Sequence, residues 1–233
     1  MIIWLASYPK SGNTLTRSFL SSYFFSKDGT FSFDLLKNIK QYPHDELFAQ
    51  LGVNLRDKHE VAKSHIRVQE FLNKEKNEFK FLKTHSSFVK MDGFSFSNLD
   101  NTLGVIHIVR DPRDVVISYA HHNNRTIEKT TELICEDRVL GSDSNNKVPI
   151  YLGSWSFNYN SWKIFDQKNK YLLIKFEDLI SAKEKYFKKI LIFIKEIKKS
   201  NFEKLKKLEQ TNGFDEARTD DKGNKINFFR VGK

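Results

Sequence analysis

Three groups of residues have the types and spacing to hold an anion and move a charged group. The first is Lys10, Ser11, Gly12, Asn13 and Thr14 in "ASYPKSGNTLTR", directly behind the apolar opening "MIIWL". A loop that opens a helix presents backbone N–H groups with no partner inside the helix and a partial positive charge. Gly12 permits close approach to the backbone, Lys10 adds a full charge, and Thr14 offers a hydroxyl. The stretch lacks the second glycine and the Gly-Lys-Ser/Thr ending of an ATP-binding P-loop. The question the stretch raises is which anion it holds, if not the triphosphate of ATP.

The second group is Lys83 and His85, two residues apart and so on one side of an extended strand. A histidine removes a proton near neutral pH, and a lysine stabilises charge on a group in transit. The third is Arg110 with Ser118; an arginine fork suits a terminal phosphate. The first two have plainer readings: a capped helix after a tight proline turn, and a surface Lys-x-His. "KSH" at 63–65 resembles the second group but has no alternating strand before it, so it is expected on a loop or helix start. His121 and His122 are adjacent, yet no Cys/His/Asp set with ligand spacing accompanies them. They are expected on a helix surface or pocket rim, and no metal is expected.

The elements that must position these groups are legible from apolar patterning. "IIWLAS" (2–7), "EFKFLKTH" (78–85), "TLGVIHIVR" (102–110) and "KYLLIKFEDLI" (170–180, ending in Glu-Asp) read as strands. Helices are expected from Ser11-Gly12 through Phe25, with Leu15, Phe19 and Phe24 on the apolar side, over 126–140, and over "YLGSWSFNYNSWKIF". "DLLKNI" and "DELFAQL" read as short helices begun by Asp. Asp111 is expected as an N-cap with Pro112 first in its helix and Asp114 in the capping-box position. A helix from Lys183 to Glu209 carries the stripe Phe187, Ile190, Leu191, Ile194 and Ile197, read as core packing. "GSDSNNKVP" (141–149) is the clearest loop. Alternating strands and helices imply an α/β fold, three layers with a central parallel sheet. Ligands of such sheets bind at the carboxyl ends of the strands, where all three groups fall.

The chain has 233 residues, 39 basic against 29 acidic, for a net charge of +10. That length fits one α/β domain with insertions over 1–233. The charge favours anionic ligands without choosing among nucleotide, nucleic acid and membrane surface. The lysine-rich stretch 163–207 alternates with Ile, Phe and Leu. It reads as a solvated helix face, because a nucleic-acid patch would use more arginine and interleaved aromatics. Cys135 is the single cysteine, so no internal disulfide is possible, and it is expected to pack as a small apolar residue. No run reaches the ~18 apolar residues of a membrane span. A cytoplasmic protein is expected, with no nucleic-acid partner and no membrane insertion.

"YPKSGNT", "FLKTH", "IVRDPRDVVISYAHH", "GSW", "IKFEDL" and "FFRVGK", in this order, resemble the cytosolic-type sulfotransferases from Leu5 to Lys233. That family moves a sulfuryl group from 3′-phosphoadenylyl sulfate (PAPS) to a hydroxyl or amine, leaving adenosine 3′,5′-bisphosphate. The resemblance implies a P-loop nucleotide-hydrolase-like sulfotransferase fold. It implies that Lys10, Ser11, Gly12, Asn13 and Thr14 cradle the 5′-phosphosulfate and that Arg110 and Ser118 hold the 3′-phosphate. It also implies that His85 is the general base, with Lys83 assisting in the transition state and Lys10 holding bridging oxygens. Arg230, Gly232 and Lys233 match the start of a C-terminal segment that also grips the 3′-phosphate, and Thr211 or its neighbours face the adenine side.

The sequence departs from the family in four places. Asn13 stands for a threonine, Leu15 for a tryptophan beside the adenine, Phe176 for a tyrosine before Glu-Asp, and Val231 for a lysine. The sequence stops at Lys233, inside that last segment, which implies a truncated domain or an incomplete lid. A PAPS-dependent sulfotransferase acting on a small-molecule acceptor is the leading expectation. A P-loop kinase of small molecules and a non-catalytic nucleotide or polyanion binder remain open. Acceptor specificity is expected in 26–77 and 126–150. Tyr119, Trp155 and Trp162 either line an apolar pocket or belong to the core.

Overall fold

The computed structural model describes residues 1–74, 79–141, 146–168 and 170–194 and the strand pairs 218–219 and 225–226. These divide into two compact units, one of Met1–Asn13 with Lys40–Ser181, the other of Thr14–Ile39 with Ala182–Lys233.

The first strand, β1 (Ile2–Ser7), is buried along its whole length, as a central parallel strand must be. It leads through the loop 8–12 into α1 (Asn13–Phe25). A 3-10 helix (Phe33–Asn38), α2 (Asp45–Gln50) and α3 (Lys58–Asn73) precede β2 (Lys80–Thr84). The short strands β3 (Lys90–Met91) and β4 (Phe94–Ser95) pair with each other before β5 (Thr102–Val109). Helices α4 (Pro112–His122) and α5 (Ile127–Cys135) follow. A second small pair, β6 (Val139–Leu140) and β7 (Ile150–Tyr151), leads to α6 (Trp155–Ser161) and a 3-10 turn (Trp162–Lys168). The chain closes with β8 (Tyr171–Lys175), α7 (Phe176–Ser181), α8 (Lys183–Phe193) and the antiparallel pair β9 (Arg218–Thr219) and β10 (Lys225–Ile226).

The main sheet lies in the first unit, is parallel throughout, and has the order β2-β1-β5-β8. The chain steps from β1 to one side and then to the other, which makes β1 the topological switch point. Trp4, Ala6, Leu82 and Val105 join Phe48, Val61, Val68, Phe96, Trp162 and Phe165 in one buried cluster. Ile3, Leu5, Ile106 and Ile108, which alternate with them, are equally buried, so both faces of the sheet are covered. This is the three-layer α/β/α arrangement read from the sequence. A bulge between Ile2 and Ile3 shifts the register of β1 on β5: Ile2 pairs with Thr102, Ile3 with Gly104 and Ser7 with Ile108. In the second unit Phe19 stacks on Phe187 at 3.9 Å, and Arg17 donates to the carbonyls of Leu36 and Ile39.

Several local expectations need correction. β8 stops at Lys175, and Phe176-Glu177-Asp178 opens α7 rather than ending a strand. His65 of "KSH" lies in the interior of α3, 0% exposed, with Nδ1 3.0 Å from the Tyr42 hydroxyl. The buried stripe of α3, invisible in a strand-centred reading, captures it. The helix expected over 126–140 ends at Cys135, because residues 139–140 pair with β7 instead. Cys135 is exposed at that helix end rather than packed. Asp111 caps α4 through the Arg113 N–H at 2.9 Å, but its own N–H donates to Glu177 Oε1 at 2.8 Å, so Asp114 does not close a capping box. Trp162 is core, and Tyr119 and Trp155 belong to a cluster with Tyr8, Val115 and Leu152. Ile197 and the remainder of the helix expected to Glu209 lie outside the described residues.

Candidate active site

The carboxyl ends of β1, β2, β5 and β8 fall side by side: Ala6 pairs with Thr84, Ser7 with Ile108, and Val109 with Lys175. Parallel strands lie about 4.8 Å apart, so the loops leaving these ends share one edge of the sheet.

The β1 loop is bent by two left-handed residues, Lys10 at φ 67° and Gly12 at φ 96°. Left-handed backbone is costly for a lysine, about 1–3 kcal/mol, and such turns aim successive N–H groups into an anion-sized concavity. Gly12 is required twice over. Its φ is one that side chains rarely adopt, and a Cβ there would sit 2.2 Å from Phe176 Cδ2. The Phe176 ring thus forms a floor under the loop. The Arg110 guanidinium lies over the same ring at 4.8 Å, and its Nη1 donates to the Lys10 carbonyl at 3.3 Å. Lys10, Gly12, Arg110 and Phe176 form one contiguous group.

Its electrostatics are those of an anion site. Burial, and then the Arg110 charge, push the Lys10 ammonium below its usual pKa. His122 at the end of α4 is lowered by burial and by the Lys10 charge, so it lies within the field of the same lysine. Ser11 Oγ and Arg110 Nε are buried without a hydrogen-bond partner. Buried polar atoms seldom stay unsatisfied. Two cations brought together beside orphaned polar atoms and a glycine-shaped cradle fit a bound phosphate or sulfate.

His85 follows the last residue of β2 and is half-buried. Its Nδ1 lies 2.7 Å from the Ser7 carbonyl. A carbonyl only accepts, so Nδ1 carries the proton and Nε2 is the acceptor of the neutral ring. The His85 carbonyl accepts from Asn158 Nδ2 at 3.0 Å, which joins α6 to the strand end. Lys83, two residues back, donates to Gln41 Oε1 at 2.9 Å, and its backbone bridges to Gln41 as well.

The structure therefore brings Lys10, Ser11, Gly12, Asn13, Arg110 and His85 to one sheet edge. Ser118 is half-buried on α4, and Thr14 is the second residue of α1 and the first of the other unit. His121 and His122 are exposed at the end of α4, and no cluster of metal-ligating side chains occurs among the described residues. Thr211, Arg230, Gly232 and Lys233 lie outside the described residues. Sequence reasoning missed Ser7, Gln41 and Asn158. Only an unexpected Ser at the end of an apolar strand, and an Asn inside an aromatic helix, could have signalled two of them.

A sulfotransferase-domain family model matches residues 2–233. No curated protein matches the chain. Among solved structures, mouse sulfotransferase SULT7A1 complexed with PAP superposes with TM-score 0.58 at 20% identity, covering 91% of this chain and 64% of that one. Retinol dehydratase, in complexes with PAP and either androsterone or retinol, gives TM-score 0.56 at 16% identity with the same coverage. The chain thus spans just under two thirds of the length of these neighbours.

Proposed function

The chain belongs to the sulfotransferase-domain family, and from that premise we propose that residues 1–233 form one domain that transfers a sulfuryl group from PAPS to a hydroxyl or amine of a small-molecule acceptor. The observation that carries this reading is the pairing of Lys10 and Arg110 over the Phe176 ring. The loop N–H groups and Lys10 suit the 5′ end of such a nucleotide, and Arg110 with Ser118 suits its 3′-phosphate. That two of the neighbours carry PAP supports the same assignment. Thr14, and Thr211, Arg230, Gly232 and Lys233 further along the chain, complete the proposed donor set.

PAPS supplies the sulfuryl group. The chain supplies position and charge. His85, held with Nε2 as acceptor, takes the proton of the acceptor hydroxyl or amine; a positioned base is worth about 10²–10⁴ in rate. Lys10 and Lys83 offset the negative charge that gathers on oxygen as the group moves. Each side chain is fixed before reaction, Arg110 on its ring and His85 on Ser7, so little reorganisation is needed. No metal has a role in this scheme. The small-molecule acceptor is part of this proposal, and 16–20% identity to the neighbours carries the fold and not their acceptors. A cytoplasmic location fits a chain with one cysteine. Among the described residues no helix is long and apolar enough to cross a membrane.

The test is thermal protection by adenosine 3′,5′-bisphosphate against Mg-ATP, followed by transfer of labelled sulfate from PAPS to a panel of phenols, alcohols and amines. Protection by the bisphosphate and transfer to at least one class are expected. Preference for Mg-ATP would turn the reading toward a kinase. Salt-sensitive binding of heparin or RNA without turnover would turn it toward a polyanion binder.

A further inference from the structure

Asn13 is expected from its motif to face the donor, yet its side chain points the other way. It is 5% exposed, and its Nδ2 donates to the Leu5 carbonyl at 2.9 Å and to Ser7 Oγ at 3.1 Å. The Leu5 carbonyl only accepts, which fixes the amide with its nitrogen toward β1. Ser7, 0% exposed, receives that second proton on Oγ and lies against His85 twice, through its carbonyl at 2.7 Å and Oγ at 3.3 Å. All these contacts share one polarity. Asn13 donates to Ser7, and His85 Nδ1–H donates to Ser7 from the other side.

From this geometry we propose that Asn13 and Ser7 are positioning residues for His85, holding it as the Nδ1–H tautomer with Nε2 toward the acceptor. The proposal rests on the reading of His85 as the base. If the amide is removed, Ser7 Oγ loses the donor that keeps it an acceptor. Its hydroxyl can then rotate and donate to Nδ1, which favours the opposite tautomer and takes away the basic nitrogen on the acceptor side. The arrangement also accounts for an otherwise unfavourable choice: Asn13 Oδ1 is buried without a partner, a cost an apolar side chain would avoid. The residue therefore contributes through its two donated bonds. It also links the loop that grips the anion to the group that takes the proton, since Asn13 opens α1 directly behind Gly12.

The experiment is long-range ¹H–¹⁵N correlation on the full chain labelled with ¹⁵N-histidine, with the His85 signals assigned by their loss in His85→Gln. Wild type, Asn13→Leu and Ser7→Ala are compared at neutral pH, without nucleotide and with adenosine 3′,5′-bisphosphate. The expected result is the Nδ1–H pattern in wild type, a shift toward Nε2–H in Asn13→Leu, and the Nδ1–H pattern kept in Ser7→Ala, which retains the carbonyl and has no hydroxyl to donate to the ring. Sulfate transfer from PAPS by Asn13→Leu should show kcat reduced about tenfold or more, part of a base's worth, with bisphosphate affinity within about threefold. An Nε2–H ring in wild type overturns the proposal. So do unchanged His85 signals in Asn13→Leu with weakened bisphosphate binding, which would make Asn13 a donor ligand. If Asn13→Leu does not fold, Asn13→Ala decides, because it too removes the amide and leaves the Ser7 hydroxyl free to turn toward Nδ1. The tautomer is read without any acceptor, so it stands or falls apart from whether sulfate is transferred.

Discussion

Gly12→Ala tests the packing of the site directly. The new Cβ would meet Phe176 at 2.2 Å to Cδ2, 2.7 Å to Cε2 and 3.3 Å to Cγ. The last atom is the root of the ring, so rotation about the ring axis gives no relief. The side chain as a whole must move, and with it the platform under Arg110. A left-handed residue with a Cβ costs about 1–2 kcal/mol, and overpacking adds about 1–3 kcal/mol. A destabilisation of about 2–5 kcal/mol follows if both terms apply. For a chain of this size each kcal/mol is worth about 2–4 °C in Tm, so a fall of roughly 4–20 °C is expected. Bisphosphate affinity should fall as well, because Arg110 loses its ring. The discriminating assay is a double-mutant cycle with Phe176→Ala, by urea unfolding. In the Phe176→Ala background the clash is gone, and Gly12→Ala should cost only the backbone term, about 1–2 kcal/mol. An equal cost in both backgrounds would refute the argument that the ring, rather than φ alone, demands glycine here.

Arg110→Ala should weaken adenosine 3′,5′-bisphosphate by about tenfold or more, and Arg110→Lys should restore little, because a lysine lacks the planar fork and the ring contact; calorimetric titration decides. His85→Gln should lower kcat by about 10²–10⁴ while leaving bisphosphate binding close to wild type, as a split of kcat from nucleotide Kd would show. Acid should destabilise the fold through two buried histidines. Burial, and for His107 also the Lys163 charge, holds the pKa of His65 and His107 at about 3, against an ordinary value of 6.5. Unfolding lets each take up a proton below pH 6.5, so their contribution is full above that value. It is lost as pH falls toward 3, by about 1.4 kcal/mol per pH unit for each ring. Urea midpoints at pH 7, 6 and 5 measure this, and His65→Phe should remove about half of the slope. An unchanged slope would mean that His65 is not neutral in the fold.

The sheet was legible because its strands are apolar runs closed by polar residues: "IIWLAS" ends at Ser7 and "TLGVIHIV" at Arg110. Loops beyond such ends are where parallel sheets bind ligands, so the chemistry-bearing residues could be listed before any coordinates. What could not be read was which way each side chain turns. Asn13 reads as a donor ligand in the motif, and in the fold one buried carbonyl, that of Leu5, captures its side-chain amide. Phe176 reads as a tyrosine short of its hydroxyl and serves as the floor of the loop, a matter of contact across residues distant in sequence. His65 looked like a copy of His85 by spacing. Only the long buried face of α3 separates the two. Periodicity gives elements, and register and long-range hydrogen bonds give roles.

The extra residue in the β1–β5 ladder, Leu103 between the partners of Ile2 and Ile3, has a bearing on chemistry that happens far from it. With Ile2 opposite Thr102, uninterrupted pairing would carry Ser7 to His107; the insertion carries it to Ile108 instead. Remove that insertion and the whole outgoing segment toward Arg110 slides by one step, about 3.3 Å, turning its guanidinium to the opposite side of the sheet. A single irregularity at the inlet of the barrier between two strands thus sets the phase of everything at the outlet. Deleting Leu103 from β5 would be a way to shift Arg110 against the Lys10 loop without touching either.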